Sequence, residues 1–195
     1  MLPTKRHKGS FQDLFELWLI DENILRKRID KEYCFGWTNE CFYKGLKRRV
    51  GWIVFIDYDH VPRSFVEYDC KRLQDKYDLG DAIILKTSSG YHLYFMDVVN
   101  RFELKKICED AMGDKLFVEV GLVRSNNILT FRLGQRKPND LIKFGKIVRR
   151  GKRTTRPMSI THYKVLQAKW PQIKINLNRP KKTCNVMFVC YKVNN

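Results

Sequence analysis

The sequence predicts a domain of the mixed α and β class, with helices interleaved among strands. Three observations lead to this prediction. The 195 residues suit one domain, and 44% hydrophobic with 13% aromatic residues provide a core. Residues 52–59, "WIVFIDYD", form an apolar run that indicates a strand buried on both faces and central in a sheet. Segments with helical spacing of apolar residues occur on both sides of that strand.

The remaining elements are predicted from their start and stop signals. Ser10, with Asp13 three residues later, predicts a capped helix over residues 11–20. Pro62 is suited to open a helix, and the "TSSG" turn separates two strands. The full prediction is helices over residues 11–20, 22–30, 62–76, 102–112 and 159–169, and strands over residues 52–59, 82–86, 91–96, 116–120, 128–133, 141–149 and the tail "TCNVMFVCYKV".

Basic residues are concentrated in the last third of the chain. The net charge is +17, and the segment from Arg132 onwards holds 17 Lys and Arg but one acid, Asp140. Such asymmetry favours a polyanionic partner, with nucleic acid first, over the alternative of a merely solvated basic surface. The run "RRGKRTTR" is predicted to track phosphates through its five basic residues, Arg149, Arg150, Lys152, Arg153 and Arg156.

Other classes of protein are disfavoured by what the sequence lacks. No apolar run reaches the roughly 18 residues of a membrane span, and no signal-peptide core is visible, so we expect a cytoplasmic protein without a membrane partner. The six cysteines form no C-x-x-C pair, which favours buried free thiols over disulfides or zinc. Neither a G-x-G-x-x-G motif nor a P-loop is present.

Two aspartates end the apolar strand at positions that share one face. Asp57 and Asp59 stand two positions apart, and residues with that spacing in a strand point the same way. Burying two carboxylates is costly unless something compensates their charge, and divalent metal ions do so. The alternative is a strand end in solvent, with Asp57 paired to a basic residue.

Later strands also place polar groups opposite an apolar face. His92 and Tyr94 share one face of "YHLYF", while Glu119 and Arg132 interrupt the predicted strands over residues 116–120 and 128–133. The preceding turn offers the hydroxyls of Ser88 and Ser89, together with that of Thr87, and turns of this kind can hold phosphate oxygens. A structural histidine and a cross-strand glutamate ion pair are the alternatives. If one sheet gathers these groups, they form a site for metal and triphosphate.

Three motifs in this order resemble the archaeo-eukaryotic primase superfamily, in particular the small primase–polymerases of plasmids and viruses. They are "FIDYD", "KTSSGYHLYF", and "FVEVG" followed by "TFRLGQR", and together they span residues 52–136. The resemblance implies a two-layer α+β, RRM-like catalytic core, with a mixed or antiparallel sheet flanked by helices. It divides the chain into an N-terminal helical segment (1–50), the catalytic core (51–150) and a basic extension of the same domain (151–195).

The resemblance also assigns roles to residues. Asp57, Asp59 and Glu119 would bind catalytic Mg²⁺ or Mn²⁺, although Glu119 stands where the family usually has Asp. Ser88, Ser89, His92 and Arg132 would contact the triphosphate of an NTP or dNTP. The implied activity is template-directed nucleotidyl transfer on single-stranded or primed DNA, with a helicase or accessory replication protein as a possible partner.

Two other functions stay open at this level. A non-catalytic nucleic-acid-binding replication protein on a primase-like fold is the first, because Glu119 departs from the family pattern. A metal-dependent nuclease is the second, although Val120 and Gly121 follow Glu119 where a common nuclease core has E-x-K. A rolling-circle nicking enzyme would need an H-x-H pair, which neither His60 nor His92 provides.

Overall fold

The computed structural model describes residues 11–21, 24, 25, 27, 33–43, 49–124, 129–133 and 141–192. Within these residues the chain is an α+β protein. A π-helical turn, Val120–Arg124, directly follows the fourth helix. The α-helices are α1 (Phe11–Ile20), α2 (Arg63–Tyr77), α3 (Arg101–Asp110), α4 (Lys115–Glu119) and α5 (Ile160–Lys169). None of these helices is long and apolar enough to cross a membrane.

The strands form one large curled sheet and one small sheet. The large sheet has the order β10-β2-β3-β5-β4-β7, and the small one has the order β11-β1-β6, with antiparallel neighbours throughout. A short strand, β8, joins β5 antiparallel and β9 in parallel. The strands are β1 (Tyr33–Thr38), β2 (Glu40–Tyr43), β3 (Arg49–Asp59), β4 (Ala82–Lys86), β5 (Gly90–Val99), β6 (Thr130–Arg132), β7 (Lys143–Val148), β8 (Met158–Ser159), β9 (Lys181–Lys182), β10 (Cys184–Asn185) and β11 (Phe188–Lys192).

Local signals set the ends of the helices. Pro62 stands at the N-cap of α2, where its fixed φ of −72° suits the start of a helix and its missing N–H costs nothing. Asn100 caps α3 by accepting from the N–H groups of Phe102 and Glu103, while the Glu103 side chain accepts from the Asn100 N–H. Ser159 caps α5. These three helices begin within a residue of their predicted starts.

Strand β3 is central, as its apolar sequence predicted, and its two faces meet different layers. Helices α2 and α3 pack on one face, where the Tyr58 hydroxyl donates to Asp69 of α2 at 2.7 Å. The small sheet covers the other face, where the Phe55 ring stacks on Trp37 and on Phe131 of β6. Because side chains alternate along a strand, the face that carries Phe55 also carries Asp57 and Asp59.

Several predictions differ from the structure. The predicted strand over residues 116–120 is wrong: these residues end α4 and begin the π-helical turn. Strands β1 and β2 were not predicted, and the tail forms two strands, β10 and β11, rather than one. Ser10 and most of the predicted helix over residues 22–30 lie outside the described residues. The prediction of buried free thiols is confirmed for four cysteines: Cys41, Cys70, Cys108 and Cys184.

Candidate active site

A cleft of about 290 Å³ lies where the large sheet, the small sheet and α4 meet. It brings together residues that are far apart in the sequence but were singled out by the three motifs. Its lining comes from the end of β3, the turn before β5, α4 and strand β6. The lining residues are Asp57, Asp59, Thr87, Ser88, Ser89, His92, Phe117, Thr130, Phe131 and Arg132.

The two aspartates that line one end of this cleft form a cluster with a third carboxylate. Asp57, Asp59 and Asp114 each offer one carboxylate oxygen, and these oxygens lie within 4.8 Å of one another. Oxygen ligands of this kind suit hard divalent cations such as Mg²⁺ and Mn²⁺. The three residues therefore form a group that can hold a metal ion.

Asp114 reaches the aspartate pair because the chain before α4 presses against the end of β3. The Asp114 N–H donates to the Asp57 carbonyl oxygen at 2.7 Å. A Cβ at Gly113 would stand 2.5 Å from the same oxygen, so this close approach requires glycine. The Asp114 side chain also caps α4 by accepting from the Leu116 N–H at 2.9 Å. The sequence signal for this residue was an aspartate in N-cap position, which the strand prediction obscured.

Negative charge dominates the electrostatics of the cluster. Burial above all, and then the negative charges of Asp59 and Asp114, raise the pKa of the Asp57 carboxyl to about 7. A backbone hydrogen bond and the positive charge of Arg132 oppose this effect. A bound divalent cation would relieve the repulsion and release the proton, so the cluster favours cation binding at neutral and higher pH.

The turn before β5 carries hydroxyl groups to the mouth of the cleft. Ser89 Oγ donates to Asp59 Oδ1 at 2.7 Å, and Thr87 Oγ1 accepts from the Gly90 N–H at 2.9 Å. Gly90 pairs with Asp59 across the ladder, and a Cβ there would lie 1.7 Å from the Tyr58 carbonyl oxygen. Only glycine permits that approach. Ser88 and Ser89 are exposed and line the cleft.

His92 lies directly across the ladder from Asp57, with its Nε2 3.6 Å from Asp57 Oδ1. Its Nδ1 lies 3.2 Å from the Tyr94 hydroxyl. Burial, with a smaller contribution from Arg132, lowers the pKa of His92 to about 3, so the imidazole is neutral at physiological pH. A neutral ring can donate one hydrogen bond into the cleft but brings no positive charge.

A stack of three rings forms one wall of the cleft. The His92 ring lies on Phe131 at a centroid distance of 4.4 Å, and Phe131 lies on Phe117 at 4.8 Å with only 3° between the planes. Phe117 is half-buried and ends the stack. Sequence reasoning missed Phe117 and Phe131, because their contribution depends on α4 meeting β6 across the cleft.

Arg132 contributes positive charge to the cleft. It lies half-buried on β6, opposite Gly36 of β1. Its charge acts on Asp57 and His92, lowering the pKa of each. Of the predicted site residues, the cleft therefore gathers Asp57, Asp59, Ser88, Ser89, His92 and Arg132.

Glu119 is not part of this arrangement. It is the exposed last residue of α4, and it belongs neither to the acidic cluster nor to the lining of the cleft. The third carboxylate of the cluster is Asp114, five residues earlier. The helical conformation of α4 is the physical reason, since it turns Glu119 away from the position that a strand would have given it.

The five basic residues of the predicted phosphate-tracking run are not gathered in the cleft. Arg150 pairs with Asp78 at 2.5 Å and is buried, with 8% of its side chain exposed. Arg156 donates to Glu103 at 2.9 Å and to the Tyr77 carbonyl at 2.8 Å. Arg149 pairs with Asp81, whereas the side chains of Lys152 and Arg153 are exposed. Nucleic-acid binding by this run stays a prediction, and part of the run holds the fold together.

Comparisons with known proteins add no family. Scans against protein-family models, curated proteins and solved structures found no match to the chain. The likeness to primases therefore depends on the motifs and on the residues that the cleft gathers.

Proposed function

We propose that this protein is a template-directed nucleotidyltransferase of the primase–polymerase type, which adds an NTP or dNTP to a 3′-hydroxyl. The observation that carries the proposal is one cleft lined by two carboxylates, a hydroxyl-bearing turn and an arginine, with a third carboxylate, Asp114, clustered beside the pair. Phosphoryl-transfer sites need this combination, because their chemistry consists mainly of positioning and of stabilising negative charge.

Asp57, Asp59 and Asp114 are the residues that would hold Mg²⁺ or Mn²⁺. The bound metal supplies Lewis-acid stabilisation of the attacking and leaving oxygens at the α-phosphate. The pKa of about 7 at Asp57 means that this carboxyl gives up a proton when the cation binds near neutral pH.

The other residues of the cleft bind and orient the nucleotide. Arg132 offers planar, charge-assisted hydrogen bonds to phosphate oxygens, and Ser88 offers an exposed hydroxyl close by. His92 can donate from Nε2 when its Nδ1 accepts from the Tyr94 hydroxyl, and the neutral ring adds no charge. Phe117 presents an apolar surface at the end of the ring stack, where the sugar or base of the nucleotide can pack.

The test is incorporation of labelled NTP or dNTP on a single-stranded template, with and without primer, in Mg²⁺ or Mn²⁺. We expect incorporation by the wild-type protein and none in chelator. Asp57→Asn should reduce it by at least 100-fold, because loss of a metal ligand removes several kcal/mol of charge stabilisation. Its matched control is Asp75→Asn, an exposed carboxylate on α2, which should leave the rate unchanged.

Two outcomes would reject the proposal. Absence of incorporation with every nucleotide and metal, despite tight DNA binding, would favour the non-catalytic replication protein. Chelator-sensitive cleavage of the template in place of extension would favour the nuclease.

A further inference from the structure

A second concavity lies at the opposite end of β4 from the cleft. It measures about 370 Å³ and we call it the distal basic crevice. Three cationic side chains and two asparagine side chains line it around one carboxylate. They are Arg149, Lys152, Arg153, Asn176, Asn178 and Asp81.

The single carboxylate of the crevice is already occupied. Asp81 accepts from Arg149 at 2.8 Å and from the backbone N–H groups of Arg150 and Asn176 at 3.0 and 2.8 Å. Asp81 therefore holds the segment of Arg149 and Arg150 next to the segment of Asn176. It also neutralises the charge of Arg149, one of the three cations of the crevice. The remaining charge is positive, carried by exposed Lys152 and Arg153.

A glycine turn and an asparagine amide complete the wall of the crevice. Gly151 has φ of +78°, a conformation that suits glycine, and it turns the chain between Arg149 and Lys152. The Asn176 amide oxygen accepts from the Asn178 N–H at 2.9 Å. The NH₂ group of the same amide can therefore donate to a ligand.

A buried arginine lies behind the crevice. Arg179 lines an adjoining recess that shares Asp81, Lys152 and both asparagines. Its side chain is only 3% exposed and pairs with Asp97, yet its second terminal nitrogen has no hydrogen-bond partner among the described residues. Because Asp97 offsets the charge of Arg179, this nitrogen contributes an unsatisfied hydrogen-bond donor on the same side.

From these observations we infer that the distal basic crevice binds backbone phosphates of a nucleic-acid strand. No aromatic side chain is present among its lining residues, so it offers phosphate contacts without base stacking. This inference deepens the proposed function and rests on it in one respect, namely that the same strand also enters the cleft.

The separation of the two sites sets the length of strand that can reach both. Asp81 directly precedes β4 and Thr87 directly follows it, six residues apart along an extended strand. At about 3.3 Å per residue, the distance is about 20 Å. A strand in duplex geometry, with a rise of about 3.4 Å per nucleotide, covers that distance in about six nucleotides.

The first experiment measures binding of a fluorescent 24-nucleotide oligothymidylate across 50–300 mM NaCl. Lys152→Gln with Arg153→Gln removes two phosphate contacts, each worth a log–log salt slope of roughly 0.7 on a single strand. We expect the slope to fall by about 1.4 and the affinity at 0.1 M salt to fall about 25-fold. The matched control is Lys71→Gln with Lys164→Gln, which removes the same charge from exposed helix positions. Equal effects of the two double variants would overturn the inference.

An isosteric change gives a second readout. Asn178→Asp keeps the shape of an exposed lining side chain and adds a negative charge. It should weaken oligothymidylate binding several-fold at 0.1 M salt, and unchanged binding would count against a phosphate in the crevice.

A further arm separates a nucleic-acid strand from a small phosphate compound. Inorganic phosphate and ATP are titrated against the wild type and the Lys152/Arg153 double variant in thermal-shift measurements. Shifts that disappear in the variant, together with unchanged oligothymidylate binding, would show that the ligand is a small phosphate and would overturn the inference.

The last arm distinguishes this inference from the proposed function. In the incorporation assay, the double variant should raise the template KM only for templates that extend more than about six nucleotides from the cleft. It should leave kcat at saturating template unchanged. A wild type that never incorporates nucleotide, but whose binding depends on Lys152 and Arg153, would reject the proposed function and sustain the inference.

Discussion

Replacing Asp57 by Asn should stabilise the metal-free protein and at the same time remove its metal response. Asp57 shares its surroundings with Asp59 and Asp114, and burial and these neighbours raise its pKa to about 7. In the unfolded chain the same carboxyl has its ordinary pKa of 3.8. Asn has nearly the same shape but no charge, so it removes the repulsion without leaving a cavity.

The direction of the pH effect follows from proton binding. Between pH 3.8 and about 7 the folded protein holds a proton on Asp57 that the unfolded chain has lost. The contribution of Asp57 to the free energy of unfolding therefore falls as the pH rises through this interval and becomes level above about pH 7. At about 1.36 kcal/mol for each pKa unit, the upper bound of the loss is about 4 kcal/mol.

The upper bound is reduced by solvent, because 22% of the Asp57 side chain is exposed. We expect the Asn variant to exceed the wild type by about 2–3 kcal/mol at pH 8 in chelator. The advantage should shrink by about 2 kcal/mol on going to pH 5. His92, whose pKa is lowered to about 3, stays neutral throughout this range and does not add to the difference.

The assay is urea denaturation of both proteins at pH 5, 6, 7 and 8 in EDTA, and then at pH 8 with Mg²⁺ or Mn²⁺. Saturating metal should raise the stability of the wild type and leave that of the variant unchanged. A stability difference that is constant from pH 5 to pH 8 would refute the reasoning about charge. A variant that is still stabilised by metal would refute the cluster as the site. Asp75→Asn on α2 is the control for loss of one exposed carboxylate.

Three further predictions concern the same cleft. Asp114→Asn should keep the helix cap, since Asn caps as well as Asp, yet it should lower metal-dependent incorporation at least 100-fold. Glu119→Gln should leave the rate near that of the wild type, and the opposite ranking of the two variants would restore Glu119 as the third ligand. Arg132→Gln should raise the nucleotide KM by about 10- to 100-fold, because a lost hydrogen bond to a charged group costs about 1.5–3 kcal/mol. An unchanged KM would show that Arg132 has a structural role instead. Gly90→Ala should destabilise the protein by about 3 kcal/mol or more in urea denaturation, because the alanine Cβ would overlap the Tyr58 carbonyl. A stability equal to that of the wild type would show that β3 and β5 separate at no cost.

Local patterns predicted the central part of the fold and half of the site. The period of two in a strand was enough to place Asp57 and Asp59 on one face. The serine–glycine turn before β5 was predicted too, but the ladder that sets His92 opposite Asp57 was not, because α2 and β4 separate β3 from β5 in the chain. Helices α2, α3 and α5 were predicted from caps and apolar spacing, which are properties of a few neighbouring residues.

Residues 115–120 illustrate where local patterns fail. Leu116, Val118 and Val120 alternate as in a strand, but a run this short fits a helix equally well. The Asp114 cap and the contact of Gly113 with β3 favour the helix.

What the sequence by itself determined, then, is the aspartate pair and the serine–glycine turn, because each depends on residues within one strand or one hairpin. Tertiary structure alone decided the third carboxylate, because Asp114 approaches Asp57 only where the chain crosses the end of β3. It also decided that Arg150 is a buried ion-pair partner, while Lys152 and Arg153 stay exposed at the distal basic crevice. Neighbouring basic residues look alike in a sequence, and they are distinguished only when a distant carboxylate such as Asp78 folds against one of them.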